Sequence, residues 1–208
     1  PTGGTPQGAV VSPLLSNIYL NPLDHRMAEQ GFEMVRYADD FVILCRSEAE
    51  AREALGRVKE WTEQAGLTLH PTKTRIVDAT QAGGFDFLGY TFAQGQKRPR
   101  QKSLKKFKDT IRAKTRRHHE ESLKRVIEDL NRTLRGWFGY FQHSHKDTFP
   151  TLDSWIRMRL RSILRRRQKQ RGRGRGRDHQ RWPNAYFAKH GLFSLGTAHA
   201  LVCQSLAR

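Results

Sequence analysis

Asp39 and Asp40 stand side by side in the run Tyr37-Ala38-Asp39-Asp40, between the apolar stretches Met34-Val35 and Phe41-Val42-Ile43-Leu44. Both flanks are rich in strand-forming residues, so the stretch predicts a β-hairpin with the two aspartates at or beside its turn. Adjacent carboxylates at a hairpin tip repel each other unless a cation neutralises them. Mg²⁺ suits that position, because it takes a few carboxylates and completes its shell with water and substrate phosphates. An Asp-rich turn with no metal is the competing explanation, since Asp favours turns by itself.

The elements around the pair are readable from periodicity. Pro1 to Gly8 is a Gly/Pro-rich loop. Val10, Val11, Leu14, Leu15, Ile18 and Leu23 then recur at helical spacing, with Pro13 tolerable only near the helix start. After the hairpin a helix is expected from about Glu48 to Ala65. Ser47 and Glu50 form a capping-box pattern, Gly66 is placed to end it, and Ala51, Leu55, Val58 and Thr62 give the buried stripe. Short strands are expected near Leu67–Leu69, Arg75–Val77 and Phe85–Phe92. The first 96 residues therefore read as an α+β layer of antiparallel strands packed with helices.

Charge divides the chain. Its 208 residues carry a formal charge of +18. Residues 1–96 hold 8 Lys/Arg and 12 Asp/Glu, net −4, whereas residues 97–177 hold 27 and 7, net +20. Such a field points to a polyanion, and nucleic acid is the usual one. A membrane surface fits less well, because the basic segment lacks an apolar run to insert. Three basic helices are expected there. One spans about Ser103–His118. A second carries Leu123, Val126, Ile127, Leu130, Leu134, Trp137, Phe138 and Phe141, and a third Leu152, Trp155, Ile156, Leu160, Ile163 and Leu164. The apolar stripes predict a bundle core, and the Arg/Lys faces are left to meet phosphate. Of Trp137, Phe138, Tyr140 and Phe141, at most one or two should face outward. Arg171 to Arg177 alternates Arg and Gly. It reads either as a solvated linker or as an arm that touches RNA. The stretch from Trp182 to Leu206 regains apolar character and is expected to dock back on the helices.

Two cysteines, Cys45 and Cys203, make neither a disulfide framework nor a zinc site, and Cys45 reads as a small buried hydrophobe. His118-His119 and His143-x-His145 lack cysteine or carboxylate partners at ligand spacing, which argues against zinc. No signal or spanning segment is evident, which places the protein in the cytoplasm. The chain begins with Pro1 inside a loop, as a fragment would.

In order, Gly4-Thr5-Pro6-Gln7-Gly8, Ser12-Pro13-Leu14-Leu15-Ser16-Asn17-Ile18-Tyr19 and Tyr37-Ala38-Asp39-Asp40 closely resemble successive reverse-transcriptase motifs. Leu67-Thr68-Leu69-His70-Pro71-Thr72-Lys73-Thr74 resembles the next palm motif, and Phe87-Leu88-Gly89-Tyr90 the one that joins palm to thumb. Leu130 to Phe141 resembles the maturase-specific thumb, or X domain. The chain thus resembles a group II intron-encoded reverse transcriptase and maturase over nearly its whole length.

The resemblance implies a partial palm over 1–96 and a helical thumb over 97–170, and composition adds an Arg/Gly-rich flexible linker over 171–181 and a tail over 182–208. It implies RNA-directed DNA polymerisation by two Mg²⁺ ions roughly 4 Å apart, with Asp39 a direct ligand and Asp40 supporting it. Tyr37 and Ala38 would lie beneath the primer end. Gln7, Gly8, Leu88 and Gly89 would border nucleotide and primer. Lys73 would neutralise pyrophosphate, or else is an ordinary surface lysine. Arg132, Arg135, Arg157, Arg159, Arg161, Arg165, Arg166 and Arg167 are the expected RNA contacts. Intron RNA, an RNA template with DNA primer and dNTPs are the implied partners, and a DNA target and a homodimer are left open. The family's metal site also uses an aspartate upstream of the Gln7 loop, which no residue here matches, so the chain alone is not expected to polymerise DNA. The alternative is an intron-RNA-binding splicing factor, or a truncated remnant, without catalysis.

Overall fold

The computed structural model describes residues 11–118, 120–172 and 176–206. The chain divides into two units, 1–87 and 88–208.

In the first unit, helix α1 (Ser12–Glu29) begins with Pro13 in its first turn, where a missing N–H costs nothing, and carries Pro22 inside. Strands β1 (Glu33–Tyr37) and β2 (Asp40–Leu44) pair antiparallel, with Tyr37 opposite Asp40 and Met34 opposite Ile43. Helix α2 (Glu48–Gln64) starts as the capping residues predict: Ser47 Oγ accepts from Glu50 N at 3.2 Å. The Glu50 carboxylate reaches one residue further back than the usual box and accepts from Arg46 N at 2.6 Å. Gly66, at φ +68, turns the chain out of the helix, and Leu67 N donates back to Thr62 O at 2.8 Å.

Leu23, Met27, Phe32, Ala54 and Val58 form the core of this unit, with Met34, Phe41 and Ile43 of the hairpin packed on it. The helical spacing of Val11, Leu14, Leu15, Ile18 and Leu23 is realised in α1, where Val11, Leu14, Leu15 and Ile18 are exposed and Leu20, Leu23 and Met27 are buried. Leu67–Leu69 and Arg75–Val77 do not form the expected strands. Pro71 removes a donor between them, Leu67 and Ile76 stay exposed, and no ladder partner is supplied among the described residues. Strand β3 (Phe85–Phe87) ends the unit. The strand expected through Phe92 stops there because Leu88 (φ +47) and Gly89 (φ +81) turn left-handed.

The second unit opens on the hairpin of β4 (Tyr90–Ala93) and β5 (Gln96–Pro99). Helices α3 (Gln101–Lys114), α4 (Leu123–Phe141) and α5 (Thr148–Arg167) follow. Their stripes meet as periodicity predicts: Phe107 and Ile111, Val126 to Phe138, and Phe149 to Ile163 share one core. Trp137 stacks on Phe107 at 4.4 Å between ring centroids. Of the four α4 aromatics only Tyr140 is exposed.

The span read as a flexible linker contains helix α6 (Arg177–Arg181), whose Asp178 is buried against Arg165 at 2.7 Å. Its carboxylate ties α6 to α5. Helices α7 (Asn184–Lys189) and α8 (Leu195–Leu206) complete the chain, and Trp182, Phe187 and Leu195 enter the helical core. Asp153 of α5 ties α8 down by accepting from Ser194 Oγ (2.8 Å), Leu195 N (3.0 Å) and Gly196 N (3.0 Å). No helix among the described residues is long and apolar enough to cross a membrane.

Candidate nucleic-acid and metal site

Cross-strand pairing fixes which way the hairpin points its chemistry. Met34, Arg36, Phe41 and Ile43 share the face turned to the core, so Val35, Tyr37, Asp40 and Val42 share the other. Tyr37 is 67% exposed, and both aspartates are exposed. The loop between Tyr37 and Asp40 has two residues, Ala38 and Asp39. Ala38 sits at φ +55, a region a residue with a Cβ enters at a cost of about 1 kcal/mol or more.

One side chain holds that conformation. Arg36 donates from Nη1 to Ala38 O at 2.8 Å and to Asn17 Oδ1 at 2.9 Å. Its Nε and Nη2 clasp the Asp24 carboxylate at 2.8 and 2.5 Å. The hydrogen bond to Asp24 raises the Arg36 guanidinium pKa above its ordinary value, against the opposing effect of burial. The turn is thereby braced to α1 by a bidentate ion pair.

The motif reading named the aspartates and missed this brace. A signal was present: Asn17 and Asp24 are seven residues apart, two helical turns, hence on one face of α1, and Arg36 precedes the motif by one residue.

With Arg36 committed to Asp24, neither Asp39 nor Asp40 forms an ion pair among the described residues. Two exposed, uncompensated carboxylates with hard oxygen donors fit a small divalent cation that keeps part of its water shell. No third His, Cys, Asp or Glu joins them among the described residues. Lys73 is exposed in the turn after α2 and pairs with neither aspartate. Gln7 and Gly8 lie outside the described residues. Leu88 and Gly89 form the turn that opens the second unit. Leu88 O accepts from Tyr140 Oη (2.6 Å), and Gly89 O accepts from Arg100 N (2.9 Å) and Ser103 Oγ (3.2 Å).

The arginines expected to meet RNA separate into groups. Arg132, Arg135, Arg166 and Arg167 are exposed, with Arg132 loosely paired to Asp129 at 3.6 Å, Arg135 lying over Phe193 and Arg167 bonded to Glu121 O. Arg157 leans on Asp153 at 4.0 Å. Arg159 closes the end of α3 through Thr115 Oγ1 and O at 2.5 and 3.1 Å. Arg161 faces inward rather than to solvent: it is 2% exposed and donates to Trp182 O and Asn184 Oδ1, both at 2.9 Å. Burial is the main reason its pKa falls below the ordinary arginine value. Arg165 is held by Asp178. A run of arginines on one helix looks uniform in sequence, yet a 20-residue helix packed on two sides must turn some of them inward.

Residues 2–92 match the family model for reverse transcriptase (RNA-dependent DNA polymerase), and residues 104–182 that for the group II intron maturase-specific domain. The chain is 34% identical, over 34% of its length, to the retrovirus-related Pol polyprotein from type-1 retrotransposable element R1 of Nasonia vitripennis. It is 24% identical, over 36% of its length, to the uncharacterized 91 kDa protein in cob intron of Schizosaccharomyces pombe. The matches span 23% and 17% of those two proteins.

Proposed function

The chain belongs to the group II intron reverse transcriptases and maturases, and from that premise we propose that its first unit supplies part of a polymerase palm and its second an RNA-binding thumb and maturase domain. Reverse transcriptases as a family use divalent metal ions. Asp39 and Asp40 would hold Mg²⁺ here, and the bound ion would activate a primer hydroxyl and offset charge on the leaving pyrophosphate. Arg36 keeps the turn that carries both carboxylates in its left-handed conformation. Tyr37, on the same open face as Asp40, would support the primer end. Lys73 would meet the pyrophosphate. The substrates on this reading are dNTPs and an RNA template with a DNA primer, and the maturase ligand is structured intron RNA.

The observation that carries the reading is the braced, uncompensated pair Asp39–Asp40 in a chain whose other half is strongly cationic. A second reading, an RNA-binding splicing factor without polymerisation, is favoured by the charge distribution alone: net −4 over residues 1–96 against +20 over 97–177. Mn²⁺ distinguishes the two, because its paramagnetism broadens amide signals near a bound ion. The polymerase reading expects selective broadening at residues 37–41 that Asp39→Asn removes, together with retention of group II intron RNA. RNA retention without broadening leaves the splicing factor. Absence of both overturns the proposal.

A further inference from the structure

We infer that the cleft between the end of α3 and the middle of α5 binds an unpaired nucleotide of a nucleic-acid strand, with Arg117 and Arg166 on the backbone phosphates and Trp155 and Met158 against the base. This deepens the RNA-binding half of the function proposed above and rests on it.

The cleft is an open hollow of about 560 Å³, walled by Trp155, Met158, Arg112, Arg117 and Arg159. A second hollow of about 330 Å³ shares Arg117 and Ser162 with it and reaches Arg166 and Arg171. Ligand cavities usually run from about 300 to 1,000 Å³, so a nucleotide fits the first and its neighbour along the strand the second. Among the described residues no Asp or Glu lines either hollow.

The cations in the cleft have different duties. Arg159 is fixed by its bonds to the end of α3, and its guanidinium carbon lies 5.5 Å from the Trp155 ring centroid. Arg112 approaches the same ring at 5.8 Å. The indole is thus set among guanidinium planes, and both indoles and guanidinium planes stack on bases. Arg117 and Arg166 are exposed and form no side-chain hydrogen bond or ion pair among the described residues, which leaves their donors to a ligand. Trp155 packs on the bundle core yet remains only half-buried, and its remaining surface lines the cleft.

The combination selects for a base as well as for charge. A bare phosphate would use the arginines and leave the cleft-lining surface of Trp155 and Met158 uncovered. A duplex keeps its bases stacked and presents mainly phosphate and sugar to a helix surface, so it cannot reach the indole. An acidic peptide would satisfy the arginines but has no flat ring to lie on Trp155. An unpaired nucleotide satisfies both walls.

The test uses the 208-residue chain and a fluorescent oligouridylate of about twelve nucleotides, within the site sizes of single-strand binders. Arg117→Gln, at an exposed side chain, is expected to weaken binding and lower the salt slope by about one, while duplex RNA affinity stays unchanged. Trp155→Leu is expected to weaken binding by about fivefold or more. Because that variant loses core packing too, wild-type protein is also crosslinked to 5-iodouridine RNA, with the adduct expected on Trp155 or Met158. Oligothymidylate distinguishes the sources of the ligand: equal affinity assigns the shared phosphate and base chemistry, and weaker affinity assigns RNA. The inference is overturned if Arg117→Gln behaves as does Arg125→Gln, a control at an exposed α4 arginine that lines neither hollow, and no adduct forms in the cleft. It is also overturned if polyglutamate displaces the oligonucleotide as well as RNA does. Wild-type protein that binds no RNA of any kind overturns the RNA-binding function itself, a result distinct from these.

Discussion

Arg36 Nη1 donates to Ala38 O at 2.8 Å while the rest of the same guanidinium clasps Asp24, so the turn bearing Asp39 and Asp40 is held to α1 through one side chain. Ala38 occupies the left-handed region at φ +55, and a conformation of that cost persists only where its surroundings impose it. Two carboxylates on a rigid tip keep a fixed separation, which metal binding requires and which a loose Asp-rich turn would not supply.

Arg36→Gln should loosen the tip without unfolding the unit. Charge-assisted hydrogen bonds contribute about 1.5–3 kcal/mol each way, reduced here because the Asp24 side chain is 35% exposed. The expected result is faster amide hydrogen exchange at residues 37–40, with α2 exchange unchanged. If α2 exchanges faster as well, Arg36 is a general structural residue rather than a brace on the turn.

Asp153→Leu should release α8 from the helical unit. The 5%-exposed Asp153 carboxylate accepts from Ser194 Oγ and the amides of Leu195 and Gly196, so its removal leaves donors without partners. The expected loss is about 2–4 kcal/mol, read as a lower urea midpoint and as new proteolytic cleavage within residues 190–206. Unaltered stability would show that water replaces the carboxylate at no cost.

How much could be read beforehand follows the range of the interactions. The hairpin, the Ser47 cap and the α4 and α5 core stripes depend on residues close in sequence, and patterning revealed them. The helix α1 was legible too, but the exposure of its start was not, because spacing identifies an apolar face and not what covers it. The Arg36–Asp24 brace and the Arg161 and Asp178 contacts join residues 12 to 23 apart and depend on packing, which no local pattern encodes. Arginine was read as a ligand contact because it is cationic. Its role in satisfying buried carbonyls, as Arg161 does for Trp182 O, becomes visible only in three dimensions.

Arg132 and Arg161 should therefore fail differently. Arg132, with a side chain 74% exposed, is expected to lose RNA affinity on replacement by Ala, with the salt slope down by about one and the melting temperature unchanged. Arg161→Leu is expected to change stability first, because Trp182 O and Asn184 lose their donor. Parallel salt titrations and thermal melts of both variants check this. A thermally silent Arg161→Leu with weakened RNA binding would return Arg161 to the RNA-contacting set.

Tyr90 gives the helical unit an alkaline limit. Its hydroxyl donates to Tyr140 O at 2.5 Å, and its ring lies 5.9 Å from that of Tyr140. Burial, then the neighbouring Tyr140, pushes the phenol above the ordinary tyrosine value of 10.0. A folded-state pKa raised above the unfolded one means that the neutral phenol stabilises the fold. That contribution is complete below pH 10.0 and is lost as pH rises through the higher folded value. Ultraviolet titration should show one phenol ionising late, and Tyr90→Phe should remove that component. The variant should also flatten the alkaline decline in stability, since it has no proton to lose. If Tyr90→Phe leaves the late component in place, the phenol that ionises late belongs to another tyrosine, and the link between the β4 hairpin and α4 does not set the alkaline limit.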